Sequence, residues 1–517
     1  MAAESDDIIV GAGSAGAVLA ARLTEDPRRG VQLVEAGPDF PTLEQTPASL
    51  LRQMVIGAAE FDWGYTAIAV DGREVAIPRG KVVGGSTAVN GAIALRGVPA
   101  DYDEWAALGN DAWSWDRVLP FFRRLEDDQD ESGAFHGSGG PIPIRRATPA
   151  DLHPVQAAFV EACRTLGFPT SADLNHPEAT GVGSWPMNVR DGIRISTAIG
   201  YLLPARRRPK LTIRPGCHVR RVLFDGARAI GVEASYGGRA HQLFGRRVTL
   251  SAGALASPAI LLRSGIGPPV DCRALGITPL VDLPGVGANL TDHPQIGVNL
   301  RARPGVLEGT ALQMQAALRY TAPGSAEGND MQACVFQFPE SDTVRLSVVL
   351  QRPRSRGRLT LASADPHAAP RIDLKLCADP EDVRRLVEGM RLVWALARST
   401  PLARLLEREV TLDDGVVLPL DRAAADLSTD TALAGYVRRG VSHFFHPVGT
   451  VRMGPPGDPG AVVDQSCRVF GTENLRVVDA SVMPTIPRAN PNLTCMMIGE
   501  RVADRMLSEG RGTSDRA

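Results

Sequence analysis

The first forty residues constrain this chain most. Asp7–Val10, "DIIV", is a short apolar run, and Gly11, Gly13 and Gly16 follow at once in Gly-x-Gly-x-x-Gly spacing. An Ala/Leu/Arg-rich stretch comes next, then a second apolar run, Val31–Val34, closed by Glu35. The order strand, tight turn, helix, strand, acid predicts a Rossmann-like unit. Gly11 permits the turn, Gly13 lets a pyrophosphate approach the backbone, and Gly16 lets helix and sheet pack closely. The helix N-terminus adds N–H groups and the positive end of its dipole. Glu35 can accept hydrogen bonds from a pair of ribose hydroxyls, and it argues against a 2′-phosphate and so against NADP. The expected ligand is an adenine dinucleotide; FAD and NAD carry the same ADP half, so this motif does not choose between them.

With 517 residues, the chain can bury a large core divided among two to four units. An apolar content of 44%, a charged content of 22% and a formal charge of -2 describe an ordinary soluble globular protein, and nothing in them points to nucleic-acid binding. The basic run Arg206–Lys210, "RRRPK", and the acidic run Glu126–Glu131, "EDDQDE", are read as solvated loops. Seven dispersed cysteines without a Cys-x-x-Cys suit reduced thiols and a cytoplasmic setting. The acidic N-terminus runs straight into a strand, so no signal peptide is expected, and no apolar run is long enough to span a membrane.

"HFFHPVGTVRMG", His443–Gly454, holds two histidines three positions apart. Pro447 interrupts any helix that would align them, and no Cys, Asp or Glu lies within six residues, so no metal site is expected. An imidazole near neutrality can instead act as a general base. Upstream, "GKVVGGSTAVNG" offers a Gly-Gly-Ser-Thr turn whose N–H groups can meet a phosphate or a flavin edge, with the Asn90 amide beside it.

These stretches, taken with "GALASPAILLRSGIG" from Gly253 and "NLRVVDASVMPTIPRANPNLTCMMIGERVADRM" after His446, resemble the glucose-methanol-choline (GMC) oxidoreductases, flavoenzymes that mostly oxidise alcohols. The resemblance runs from Ile8 to about Arg505. It implies an α/β fold, α+β overall: a Rossmann-like FAD-binding domain with an interleaved antiparallel-sheet substrate domain. The cofactor domain is expected at 1–150, 196–300 and 441–517, and the substrate domain at 151–195 and 301–440. The alternating runs "RLSVVLQRP", "GRLTLAS" and "RIDLKL" suit that second sheet, and Asp379 is a plausible cap for the helix that follows.

The resemblance further implies non-dissociating FAD. Its ADP would rest on Gly11, Gly13, Ser14, Gly16 and Glu35, with the adenine edge at Val219. Gly84, Gly85, Ser86, Asn90 and Ala92, and later Asp479, Ala480, Asn492 and Thr494, would hold the pyrophosphate and flavin. Some members link the flavin to a histidine just before the Asn of the second motif; Val89 stands there and has no nucleophilic atom, so FAD is expected to be non-covalent. Oxidation removes the hydroxyl proton and passes a hydride to flavin N5. His446, which alone is followed by "PVGTVRMG", is the expected base, and Asn492 is expected to hold the substrate oxygen, with Asn490 the near-miss. His443 is expected to be a neighbour, and His293 and His367 structural or surface residues. "FDWGY", Phe61–Tyr65, suits either the approach to the flavin or the core.

"DYDEWAALG" and "HGSGGPIPI" resemble bacterial members acting on primary and aromatic alcohols, furan alcohols included. The electron acceptor, dioxygen or another, stays open, as does the oligomeric state. Hydroxynitrile lyases and light-driven fatty-acid photodecarboxylases of the same family retain every FAD motif; the filled His446 and Asn492 positions favour alcohol oxidation over either.

Overall fold

The computed structural model describes residues 5–52, 56–309 and 314–514. Strand β1, Ser5–Val10, lies inside a parallel sheet between β2, Val31–Val34, and the end of the long strand Arg239–Leu250. Leu211–Arg214 extends the sheet beyond β2, and Leu475–Val477 pairs on the other side with Arg239–Leu250, both in parallel. Ile8 and Ile9 are fully buried, which is why the run is continuously apolar rather than alternating. Helix α1, Ser14–Leu23, leads out of β1 and is tied to the C-terminal helix Pro491–Ser514 by Arg22, whose Nε donates to Glu500 at 2.9 Å.

The turn between β1 and α1 depends on glycine. Gly11 has φ +98°, and a Cβ there would lie 2.4 Å from the Ser251 carbonyl oxygen. Gly85, at φ +52°, passes so close to Gly13 that a Cβ would meet the Gly13 Cα at 2.7 Å. Two glycine motifs distant in sequence therefore form one cradle.

A second sheet runs Val417–Pro419, Leu406–Leu412, Pro294–Ala302, Thr343–Leu350, Met331–Phe338, Ala316–Tyr320, Gly181–Ser184, antiparallel throughout. Helix Pro380–Arg398 packs on it through an apolar stripe that includes Leu386, Met390 and Val393, and the Asp379 carboxylate accepts the Glu381 N–H at 2.8 Å, the expected cap. The short strand Ser442–His443 pairs with the start of Pro294–Ala302, with His443 opposite Pro294. This one pairing brings the chain around His293 against the chain around His446.

The two charged runs differ from their sequence reading. Glu126 and Asp128 are buried, not solvated. Their ligand atoms and those of His136 lie within 4.8 Å of one another, a metal-like grouping. Arginine occupies it: Arg96 pairs with Glu126, and Arg146 with Asp128 at 2.8 Å and Asp173 at 2.7 Å. With His136 protonated, three cations balance three carboxylates, so the buried charges are mutually neutralised. Arg206 is likewise paired with Asp39, and Arg208 donates to the Ala21 carbonyl. All seven cysteines are free and buried. Among the described residues, no helix is long and apolar enough to cross a membrane.

Candidate active site

A cavity of about 450 Å³ extends from the β1–α1 turn to His446. Gly11, Gly13, Ser14, Glu35 and Val219 line one part of it, and Gly85, Ser86, Asn90, Asp479 and Ala480 another. Glu35 is held by backbone: its Oε2 accepts the Ala12 N–H at 3.0 Å and its Oε1 that of Gly37 at 2.9 Å. Burial raises its pKa, those bonds oppose the rise, and each carboxylate oxygen retains a lone pair. Asp479 ties two segments together, accepting the Gly253 N–H at 2.8 Å and the Ser257 hydroxyl at 2.6 Å through Oδ2.

Four residues assigned to the cofactor from sequence lie behind the wall rather than on it. Gly16 packs under the Gly11 carbonyl, where a Cβ would come within 1.9 Å. Gly84 shapes the turn before Gly85 with φ +103°. Ala92 gives its N–H to Asn90 Oδ1 at 2.9 Å. The Thr494 hydroxyl is 3.0 Å from that of Tyr102 in a fully buried pair. "FDWGY" places Trp63 and Tyr65 on the cavity, stacked 5.7 Å apart, with Trp63 against His218 and so toward the Val219 end. His367, exposed on a loop that also lines the cavity, has its ring 5.1 Å from that of His218.

The residue beside His446 is Asn490, not Asn492. Asn490 Nδ2 lies 3.1 Å from His446 Nε2, whereas Asn492 Oδ1 accepts from the Ser14 hydroxyl at 3.1 Å. The two asparagines flank Pro491, where helix Pro491–Ser514 begins. Asn490 stands just before the helix and Asn492 in its first turn, so the two side chains leave the backbone in different directions. One asparagine therefore meets His446 and the other meets α1.

His446 also has a second partner. Its Nδ1 is 2.9 Å from Nδ1 of His293, a fully buried residue expected from sequence to be structural. Burial first, then the nearby His293, Arg79 and His443, hold the His446 pKa well below its usual value. Burial likewise pushes His293 down to about 3. His443 is committed elsewhere: its Nε2 donates to the Ala76 carbonyl at 2.8 Å and its Nδ1 accepts the Phe445 N–H at 3.0 Å. Asn490, His293 and Arg79 are thus neighbours of His446 that the sequence reading did not assign to the site. Only Asn490 carried a signal, as the alternative register of "NPN".

A GMC oxidoreductase family model matches residues 5–295, and a second GMC oxidoreductase model matches 353–499. The chain belongs to this family. The GMC chain is 37% identical to a 5-(hydroxymethyl)furfural oxidase of Methylovorus sp., covering 98% of this chain and 99% of that one. It is 32% identical to an oxygen-dependent choline dehydrogenase of Photobacterium profundum, covering 97% and 93%. A pyridoxine 4-oxidase from Mesorbium loti has the same fold, with a TM-score of 0.89 and 30% identity over 97% of this chain and 99% of that one.

As a GMC oxidoreductase, the protein is an FAD enzyme acting on CH–OH donors. Its cavity fits that cofactor. The glycine cradle at Gly11, Gly13 and Gly85 admits backbone approach, Glu35 keeps acceptor capacity, and the buried Asn492 Nδ2 has no hydrogen-bond partner within the described protein.

Proposed function

We propose that the protein oxidises uncharged primary alcohols bearing an apolar, preferably aromatic, group, with His446 as general base and Asn490 holding the substrate oxygen. The observation that carries this reading is the His446–Asn490 pair at an apolar end of the cavity. Val89, Ile93, Met314, Phe336 and Phe444 line the cavity with them. The acids lining it, among the described residues, are Glu35 and Asp479, both held in backbone or hydroxyl hydrogen bonds away from these side chains. A choline-like cation would find no carboxylate there, whereas a ring would find aromatic partners.

We assign the tautomers from the contacts of the two rings. The Asn490 amide nitrogen, 3.1 Å away, only donates, so His446 Nε2 accepts from it and the His446 proton belongs on Nδ1. His293 Nδ1 is then the acceptor of the 2.9 Å contact, and the His293 proton sits on Nε2, which has no hydrogen-bond partner among the described residues. His446 then donates from Nδ1 to His293, and its Nε2 lone pair faces Asn490. A substrate hydroxyl entering between them donates its proton toward Nε2 while its oxygen accepts from Asn490 Nδ2. Loss of that proton leaves an alkoxide that the Asn490 amide stabilises in a water-poor site. FAD supplies the acceptor for the hydride that leaves the same carbon. With Val89 at the linking position, FAD is held non-covalently by Gly11, Gly13, Ser14, Glu35, Gly85, Ser86, Asn90, Val219, Asp479, Ala480 and Asn492. In this reading, segments 1–150, 196–300 and 441–517 carry the cofactor, and 151–195 and 301–440 roof it.

The test is anaerobic mixing of the purified yellow protein with benzyl, furanyl, simple primary, sugar and amino alcohols. Loss of flavin absorbance with the aromatic alcohols, and little with choline, is expected. No reduction by any alcohol would sink the reading. Admitting air afterwards tells whether dioxygen reoxidises the protein.

A further inference from the structure

Thr291 and Val448 exchange backbone hydrogen bonds at 3.1 and 2.9 Å, and Pro294 pairs with His443. Between these two ties one strand has Asp292 and His293, while the other has Phe444, Phe445, His446 and Pro447. The second strand is therefore a bulge with two extra residues, the device by which sheets re-aim a side chain next to a site. Its backbone donors have lost their ladder partners, and Asp292 replaces them. One carboxylate oxygen accepts the Phe444 N–H at 3.1 Å, and both accept the His446 N–H at 3.0 Å. Between these two, Phe445 takes φ +64°, left-handed backbone that a bulky residue adopts only under constraint. The Phe445 carbonyl accepts from Arg79 Nη2 at 2.8 Å.

We infer that Asp292 is a positioning residue for the oxidation, its buried carboxylate holding the bulge in the one backbone form that presents the His446 imidazole to Asn490 and the substrate. This rests on His446 being the base. Arg79, whose charge favours an ionised Asp292, adds a second hold on the bulge through the Phe445 carbonyl. The titratable and charged groups around the carboxylate are Arg79, His293, His443 and His446. Burial raises Asp292 to about 7, although the N–H bonds and Arg79 oppose it. The three histidines are held low by burial. Protonation turns one acceptor oxygen into a donor facing an N–H, so the clamp is tightest when Asp292 is ionised.

The experiment is anaerobic stopped-flow reduction of the FAD-loaded protein by benzyl alcohol, with Asp292→Asn compared with the wild type between pH 6 and 8. The wild-type rate constant should rise with pH across that range. Asp292→Asn should be at least about 10-fold slower and flat with pH, with KM little changed and the flavin spectrum intact, as expected when a base is misplaced rather than lost. A wild-type rate, or a variant that keeps the pH rise, would overturn the inference. If Asp292→Asn does not retain flavin, Phe445→Pro keeps the carboxylate but cannot take positive φ, and the same slow reduction is expected; a wild-type rate there would equally overturn it. His446→Ala separates the two readings: if it reduces normally, the base assignment is wrong, whereas a dead His446→Ala beside a normal Asp292→Asn refutes only the clamp.

Discussion

His293 and His446 face each other Nδ1 to Nδ1 at 2.9 Å, with the ring planes at 88°. Two nitrogens of this kind cannot both donate or both accept, so one ring must give a proton to the contact and the other a lone pair. In the proposed mechanism the donor is His446, and a proton on its Nδ1 leaves Nε2 bare toward the substrate.

Removing the acceptor should therefore slow proton abstraction without emptying the cofactor site. For His293→Ala, flavin reduction by benzyl alcohol should fall about 10- to 100-fold, the range seen when a group that orients a functional imidazole is lost. His293→Gln can still offer an amide oxygen and should recover part of the rate. If both variants reduce at the wild-type rate, His293 is merely structural and the tautomer assignment fails.

The two asparagines beside Pro491 should separate cleanly. Asn490→Ala takes away the donor opposite His446 Nε2 and should cost about 10² in the rate constant for reduction, as for loss of one oxyanion donor, with FAD retained. Asn492→Ala breaks the contact to Ser14 at the start of α1; it should instead weaken FAD retention, read as flavin lost on gel filtration, with a smaller effect on the rate of the molecules that keep it. The reverse pattern would return the catalytic role to Asn492, where the sequence alone had placed it.

That reversal shows where the sequence was legible. The β1–α1–β2 unit was readable because its information is local: a buried strand is continuously apolar, and a tight turn against Ser251 requires Gly11. The helix cap at Asp379 is equally local. The partners of His446 are not. His293 meets it across 153 positions, through a strand pairing that no periodicity announces. The side-chain directions of Asn490 and Asn492 are set only once the helix start at Pro491 is fixed. The acidic run at Glu126 misled for a related reason: charge suggests solvent, but the compensating Arg96, Arg146 and His136 come from elsewhere in the chain.

That network makes a prediction about stability rather than turnover. His136 lies 3.1 Å from Asp128 and 3.2 Å from Asp173, with Glu126 close by. Burial lowers its proton affinity, but the bonds to these carboxylates outweigh that and push its pKa up to about 10. A histidine in an unfolded chain titrates near about 6.5. The folded state thus binds the proton more tightly, and the stability this provides is complete below pH 6.5, declines above it and is gone once pH has risen through about 10. His136→Gln should cost about 3 kcal/mol near pH 6, because it leaves the buried carboxylates short of one cation. The difference in melting temperature between wild type and variant should then narrow steadily from pH 7 to pH 10. A difference that stays constant over that range would mean that the imidazole is neutral in the folded protein and that Arg96 and Arg146 alone carry the positive charge of the cluster.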